Sequence, residues 1–196
     1  MKIELITITV DAEKIIEESG RTCYKSKLGN AMIIRNWIRS GHTSVVEHAS
    51  ATFRISGVSR AFSHQLVRHR IASYSQMSQR YTSSDNFPFV IPNSIDVNDT
   101  AFQVYDKAMC DLRVAYAQLI ELGIPKEDAR MLLPNACCTE IVATMNFRSL
   151  RNFFQLRLDA HSQWEIRAVA NEMLKIVKPL APNVFFDFEV TNEINN

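Results

Sequence analysis

Arg68-His69-Arg70-Ile71-Ala72-Ser73-Tyr74-Ser75-Gln76-Met77-Ser78-Gln79-Arg80-Tyr81 reads as an Arg-His-Arg triplet, seven residues, and then Ser-x-Arg. Just before it, residues 59–68 have the apolar spacing of a helix through Phe62, Leu66 and Val67, so the triplet lies near a helix end, and residues 73–81 are expected to be extended or looped. The surrounding residues 48–84 contain no aspartate, glutamate or lysine, yet they carry Arg54, Arg60, Arg68, Arg70 and Arg80 with His48, His64 and His69. Guanidinium is a flat, permanently charged fork matched to phosphate and carboxylate oxygens, whereas an ammonium is a flexible point charge. Arginines on an amphipathic helix commonly form a solvated face. Such a face mixes both signs, as this chain does at Asp11-Ala12-Glu13-Lys14 and Lys126-Glu127-Asp128. Cations near a helix C-terminus are favoured by only roughly 0.3–1 kcal/mol each, too little to account for three in a row. The block therefore reads as an anion site. With a formal net charge of +1 over 196 residues, a small polyanion fits it better than a nucleic acid.

Hydrophobic residues make up 46% of the chain, enough for a substantial core, and one domain over residues 1–196 is expected. The N-terminus lacks the basic start, long apolar run and small-residue cleavage site of a secretory signal, and no apolar stretch approaches a membrane span. Cys23, Cys110, Cys137 and Cys138 form no C-x-x-C pair, and the adjacent two can neither close a disulfide together nor chelate like a zinc knuckle. A reduced, cytoplasmic, metal-free protein without membrane or nucleic-acid partners is expected. The glycines at 20, 29, 41, 57 and 123 have neither G-x-G-x-x-G nor G-x-x-x-x-G-K spacing. A Rossmann or P-loop site is therefore not expected, and any nucleotide must be held mainly by side chains.

Residues 1–10 alternate like a strand, and Asp11 is placed to cap a short helix ending near Gly20. A second helix is expected over residues 30–40, stopped by Gly41, then a polar loop over 41–48 and a strand over 51–56. Pro88 and Pro92 bracket a short apolar run, and residues 99–122 read as a long helix closed by Gly123. Pro125 starts a short helix that holds Arg130 and breaks at Pro134. Residues 137–146, rich in Thr, Ile and Val, read as a strand, followed by helices over 148–161 and 164–177. The polar tail, residues 191–196, is expected to fray. The fold class is α+β, a mostly antiparallel central sheet flanked by helices.

A second acid-free block, residues 141–158, contains Asn146, Arg148, Arg151, Asn152 and Arg157. On an ideal helix Arg148 and Asn152 share a face, while successive steps of about 100° carry Arg157 to the opposite side. If both arginines are functional, they are expected to serve different ligands, or ligands in different subunits.

The chain resembles the flavin-dependent thymidylate synthases. The signature stands as Arg68-His69-Arg70 and Ser78-Gln79-Arg80. The likeness extends through Gly41-His42 to Glu47-His48, Glu127-Asp128-Ala129-Arg130 with Leu133-Pro134, Asn146-Phe147-Arg148-Ser149-Leu150 with Asn152, and Arg157 through His161-Ser162-Gln163-Trp164-Glu165. The resemblance implies a methyltransferase of nucleotide biosynthesis that converts deoxyuridine monophosphate (dUMP) to thymidine monophosphate (dTMP). It implies 5,10-methylenetetrahydrofolate as carbon donor, FAD as redox cofactor and NADPH as reductant. It also implies a homotetramer with active sites shared between subunits and a helix-flanked sheet without a Rossmann unit. Carried over by position, Ser44, Arg68, His69, Arg70, Asn146, Arg148 and Asn152 are FAD contacts, with His42 close by. Gln65, Arg68, Ser78, Gln79, Arg80, Arg130 and Arg157 are nucleotide contacts. Gln76 stands where some relatives have glutamate, so its ligand contact is expected without the charge. Cys23 stands where relatives often have serine near the flavin.

Residue chemistry agrees with that assignment. Carbon 5 of uracil becomes nucleophilic when the ring imide loses its proton, and a guanidinium fork beside the imide stabilises that anion; Arg157 is the catalytic candidate. The redox chemistry belongs to the flavin, so no cysteine nucleophile is required. Cys137 and Cys138, in a strand-like run, are expected to be structural thiols. Ser78 lacks an evident partnering base and is assigned to phosphate or sugar binding. His161 and Trp164 are as well explained by capping or packing the last two helices. Two other classes share these features: a nucleic-acid module using the arginines near Tyr74 and Tyr81, which salt-dependent oligonucleotide binding without a yellow chromophore would favour, and a relative that kept the fold and lost catalysis. The presence of Arg68, Ser78, Arg80 and Arg157 argues against the latter.

Overall fold

A computed structural model describes residues 1–23, 25, 29–82 and 86–191. The tail expected to fray lies outside the described residues from 192 onward. Strand β1 (Lys2–Ile8) turns Ile3, Leu5 and Ile8 toward the core, and a bulge between Leu5 and Thr7 shifts the alternation so that Ile8 rather than Thr7 faces inward. Helix α1 (Ala12–Thr22) follows Asp11, which occupies the cap position in a left-handed conformation without a side-chain capping bond. The helix ends at Thr22, two residues past Gly20. That glycine is a packing residue, because a Cβ there would stand 2.5 Å from the Trp37 ring. Helix α2 (Ile33–Arg39) supplies the Trp and stops before Gly41, whose φ of 81° suits glycine.

The segment expected to be a loop is a 3₁₀ helix, Thr43–His48, pinned by fully buried Val46. Strand β2 (Ser50–Ser59) outruns its expected length because a bulge at Gly57, with φ 66°, carries pairing past Ser56. Helix α3 (Arg60–Leu66) is capped by the Ser59 side chain, which accepts from the Phe62 amide at 3.0 Å. Strand β3 (Ser73–Gln76) follows the Arg-His-Arg turn. Short α4 (Asn93–Asp96) leads to α5 (Asp99–Glu121), closed at Gly123. Next come α6 (Lys126–Ala129), a 3₁₀ turn over Arg130–Leu132, and β4 (Cys138–Asn146). Helix α7 (Phe147–Arg157) stops earlier than expected, where the Ser162 hydroxyl bonds the Leu156 carbonyl at 2.8 Å, and α8 (Trp164–Val177) begins at a Gln163 cap.

The described strands form one antiparallel sheet in the order β1-β2-β4-β3. One face is apolar. Ala51, Phe53 and Ile55 of β2 and Ile141, Ala143 and Met145 of β4 pack with Phe147, Leu150, Phe153 and Phe154 of α7 and the apolar side of α8. Each fully buried Phe, Ile or Leu contributes about 1.5–3 kcal/mol, so this layer sets the position of α7 against the sheet. The other face is polar: Thr52 and Thr144 share a 2.9 Å hydroxyl bond, and Arg54 lies 3.5 Å from Glu4 and 3.6 Å from Glu140. Helix α5 packs on a separate small cluster of Phe87, Met109 and Cys137 and buries only Met109 and Tyr116 of its own length.

Candidate functional site: a cavity at one end of the central strand

Chain direction delivers the arginines. Ser59 pairs with Cys138 at one end of β4, α3 runs back along the sheet, and β3 resumes with Ser73 opposite Thr144 near the other end. The Arg-His-Arg turn is thereby brought beside Asn146, where β4 passes into α7. Tyr74 anchors the turn. Its hydroxyl lies 2.9 Å from the carbonyls of both Leu66 and His69, and burial pushes its pKa up to about 12. At the opposite end of α3, Glu165 of α8 accepts from the Ser59 amide at 2.7 Å and from the Ser59 hydroxyl; the carboxylate is only 3% exposed. The helix that aims the triplet is therefore fastened at both ends.

A cavity of about 770 Å³ opens where these elements meet. It is lined by Arg68, His69 and Arg70 from the turn, Asn146, Arg148, Asn152 and Arg157 from α7 and its cap, and Glu47 from the 3₁₀ helix. Asn146 spends its carbonyl on capping α7, accepting from the Ser149 amide at 2.8 Å, which leaves its NH₂ group for a ligand. Glu47 pairs with Arg148. Among the described residues no ion pair involves Arg68 or Arg70. Several guanidiniums, two carboxamides and a volume within the usual range for small-molecule sites suit a dinucleotide's phosphates and bases without a glycine loop.

The helical-wheel expectation for Arg157 is corrected here. Arg157 lines the same cavity as Arg148 and Asn152, because it ends α7 and its long side chain reaches back to His69, with Nε donating to Nε2 at 3.0 Å. It also lines a neighbouring cavity of about 490 Å³ with Gln65, Leu156 and Gln163, so the one side chain stands between two spaces. The His69 ring packs edge-on against Phe153 at 5.0 Å. Burial first, and the Arg157 charge second, hold its pKa below the ordinary histidine value. Gln65 donates to Gln163 at 3.4 Å.

The remaining candidates gather at the other end of β4. Gln76 donates to Thr139 at 3.1 Å and Gln79 to the Cys137 sulfur at 3.7 Å. Arg80 meets Glu127 at 2.5 Å, Arg130 bonds the Glu127 carbonyl at 3.1 Å, and the Ser78 hydroxyl accepts from the Arg80 amide at 3.2 Å. The eight steps of β4 between Cys138 and Asn146 span about 27 Å, and none of these groups lines the cavity. His42 and Ser44 share the segment that supplies Glu47 but do not line the cavity, and neither does exposed Cys23. Burial raises the pKa of both Cys137 and Cys138 above the ordinary thiol range, which fits structural thiols. His161 is exposed and bonds Asp159.

Sequence reading gave no role to Glu47, Tyr74, Leu156 or Glu165. Leu156 could have been found four residues beyond Asn152 on the same helical face; the pairings of Glu47 and Glu165 join distant segments and leave no local signal. Among the described residues, no helix is long and apolar enough to cross a membrane, and no group of three or more His, Cys, Asp and Glu side chains is placed to hold a metal ion.

Comparison with known proteins places this architecture. A family model described as thymidylate synthase complementing protein matches residues 4–183. The flavin-dependent thymidylate synthase of Geobacter sulfurreducens is 48% identical over 200 residues, spanning 95% of this chain and 86% of that protein. Those of Clostridium tetani and Sulfolobus acidocaldarius are 41% and 44% identical, each across 94% of this chain, with 85% and 75% of their own lengths matched. With matches running through both acid-free blocks and the sheet between them, the chain belongs to the flavin-dependent thymidylate synthase family.

Proposed function

We propose that this protein is a single-domain flavin-dependent thymidylate synthase that methylates dUMP to dTMP, with 5,10-methylenetetrahydrofolate as carbon donor and FAD, reduced by NADPH, as cofactor. The observation that carries the reading is the cavity at the Asn146 end of β4, where arginines from two acid-free blocks converge on one space. Arg68, His69, Arg70, Asn146, Arg148 and Asn152 hold the flavin nucleotide, with Ser44 and His42 on the adjoining segment. Bound flavin supplies the hydride that completes the methyl group. Arg157 sets its guanidinium against the uracil imide and stabilises the anion that makes carbon 5 nucleophilic, an effect strengthened where water is excluded. Gln65 lines the adjoining cavity beside it.

Ser78, Gln79, Arg80 and Arg130, with Gln76 beside them, bind nucleotide at the other end of the strand. Their place at the Cys138 end of β4, with none of them lining the cavity, supports sites shared between subunits of a homotetramer. Helix α5 supports it too, since Val104, Val114 and Leu122 are exposed on or beside a helix that little of this chain covers. A cytoplasmic location is supported by four free thiols, Cys23, Cys110, Cys137 and Cys138.

The test is reconstitution. Purified protein is expected to show flavin absorption, to oxidise NADPH when dUMP is present, and to sediment as a tetramer. If saturating FAD produces neither a spectral change nor NADPH oxidation, the enzyme reading fails; a fully active monomer would remove the shared site alone.

A further inference from the structure

We propose that His69 is the positioning residue for Arg157: its Nε2 accepts the Arg157 Nε–H, fixing the guanidinium plane between the two cavities and leaving the terminal N–H groups to meet the nucleotide. This rests on the reading of Arg157 as the group that faces the uracil ring.

The contact dictates its own protonation. Arginine has no acceptor atom, so the ring nitrogen 3.0 Å from its Nε must offer a lone pair. His69 is therefore neutral, with its proton on Nδ1. The imidazole is itself well fixed. Its ring sits edge-on to fully buried Phe153, its backbone amide bonds Leu66 at 3.1 Å, and its carbonyl is within 2.9 Å of the Tyr74 hydroxyl. An arginine at the last position of a helix has many rotamers, and one anchored edge removes most of them before substrate arrives.

The surroundings keep the acceptor available. The charged groups lining this cavity are Arg68, Arg70, Arg148, Arg157 and Glu47, and the carboxylate is engaged by Arg148. A proton on Nε2 would add a cation among guanidiniums and oppose one N–H with another. Burial and the Arg157 charge lower the His69 pKa in the same direction. As pH falls through that lowered pKa, Arg157 loses its anchor.

Two measurements test this. Nitrogen-15 histidine spectra of the purified enzyme are expected to show His69 as the Nδ1–H tautomer, still neutral below the ordinary histidine range, with Arg157→Gln raising its pKa. An Nε2–H tautomer overturns the proposal. Turnover and dUMP affinity are then compared for His69→Phe, which keeps an aromatic ring beside Phe153, and His69→Gln, which restores an acceptor. His69→Phe is expected to lower turnover by about 10–100-fold, with partial recovery in His69→Gln. In the Arg157→Lys background the further loss is expected to shrink to less than about threefold, because there is no longer a fork to aim. Wild-type turnover in His69→Phe, or fully additive losses in the double variant, overturns the proposal. Wild-type turnover in Arg157→Lys alone would count against the role of Arg157 in the reaction, and the tautomer would still decide whether His69 holds it.

Discussion

At its Asn146 end β4 runs into α7 and a cavity of about 770 Å³ that encloses half-buried His69 and Arg157, whereas at its Cys138 end Ser78, Gln79 and Arg130 are half-buried and Arg80 is open to solvent. Each end has an arginine engaged by a carboxylate, Arg148 by Glu47 and Arg80 by Glu127, all four side chains being substantially exposed. The settings differ. Beside Arg148 lie Arg157, anchored on His69, and a turn tied down by Tyr74; beside Arg80 the ties are to Glu127 and Cys137. Electrostatic interactions strengthen as water is excluded, so equal chemistry is worth more at half-buried Arg157 than at exposed Arg80.

The largest effect is expected from making one change at both ends. Arg157→Lys keeps the charge but cannot present parallel N–H groups, and turnover should fall by about 10²–10³-fold. Arg80→Lys, where the partner is a single exposed carboxylate, should cost less than about tenfold, mostly in KM. Turnover with flavin occupancy in the same preparations decides this. Equal losses would mean that both ends are enclosed in the working enzyme, as they would be if a second subunit covers Arg80 in the proposed tetramer.

Next is the clasp that aims the enclosed end. Glu165→Ala leaves the buried Ser59 amide and hydroxyl without their acceptor, at about 1–3 kcal/mol for each stranded donor, and frees the start of α3. Thermal unfolding should show the loss. An unchanged melting temperature would mean that water replaces the carboxylate and that α3 is placed by Phe62 and Leu66 packing alone.

Tyr74→Phe should cost less, about 0.5–1.5 kcal/mol, by removing the hydroxyl that ties the turn to Leu66 and His69. The pH signature is specific. The folded pKa, about 12, lies above the unfolded value of about 10, so the stability from keeping the phenol neutral is complete below pH 10 and is lost as pH rises toward 12. Tyrosinate absorbance and alkaline unfolding should both lose this component in the variant. An unaltered alkaline profile would place the linkage elsewhere.

How far the sequence disclosed these two ends follows from the range of the interactions. The sheet, the long helix α5 and the start of α8 were legible because alternation, apolar periodicity and a following glycine act within a few residues. The packing role of Gly20 was not legible, because it is set by Trp37, a contact that no neighbouring residue announces. The 3₁₀ helix, Thr43–His48, was hidden for a similar reason: Val46 is held by the core, while its neighbours are polar. The absence of acids over residues 48–84 pointed to Arg68 and Arg70, which line the cavity, but Arg54 and Arg80 find carboxylates on other segments. Helical-wheel arithmetic assumes that a side chain stays on its own face, and at a helix terminus a side chain as long as that of Arg157 does not.

The smallest effect is expected at the open end. Glu127→Gln removes the charge that engages Arg80 at 2.5 Å but keeps the Glu127 backbone carbonyl that receives Arg130. Exposed pairs of this kind are worth about 0–1 kcal/mol, so thermal stability should hardly change. A ligand phosphate, however, must displace that carboxylate before it can occupy the guanidinium. Removing the competitor should therefore tighten dUMP binding by up to about fivefold, the equivalent of roughly 1 kcal/mol, and most clearly at low salt. Titration calorimetry at two ionic strengths reads this directly, and Glu47→Gln provides the counterpart at the enclosed end with FAD as the ligand. Weaker dUMP binding in Glu127→Gln would reverse the reading: the carboxylate would then be the group that orients Arg80 toward the nucleotide rather than its placeholder, and the open end would be as preorganised as the cavity.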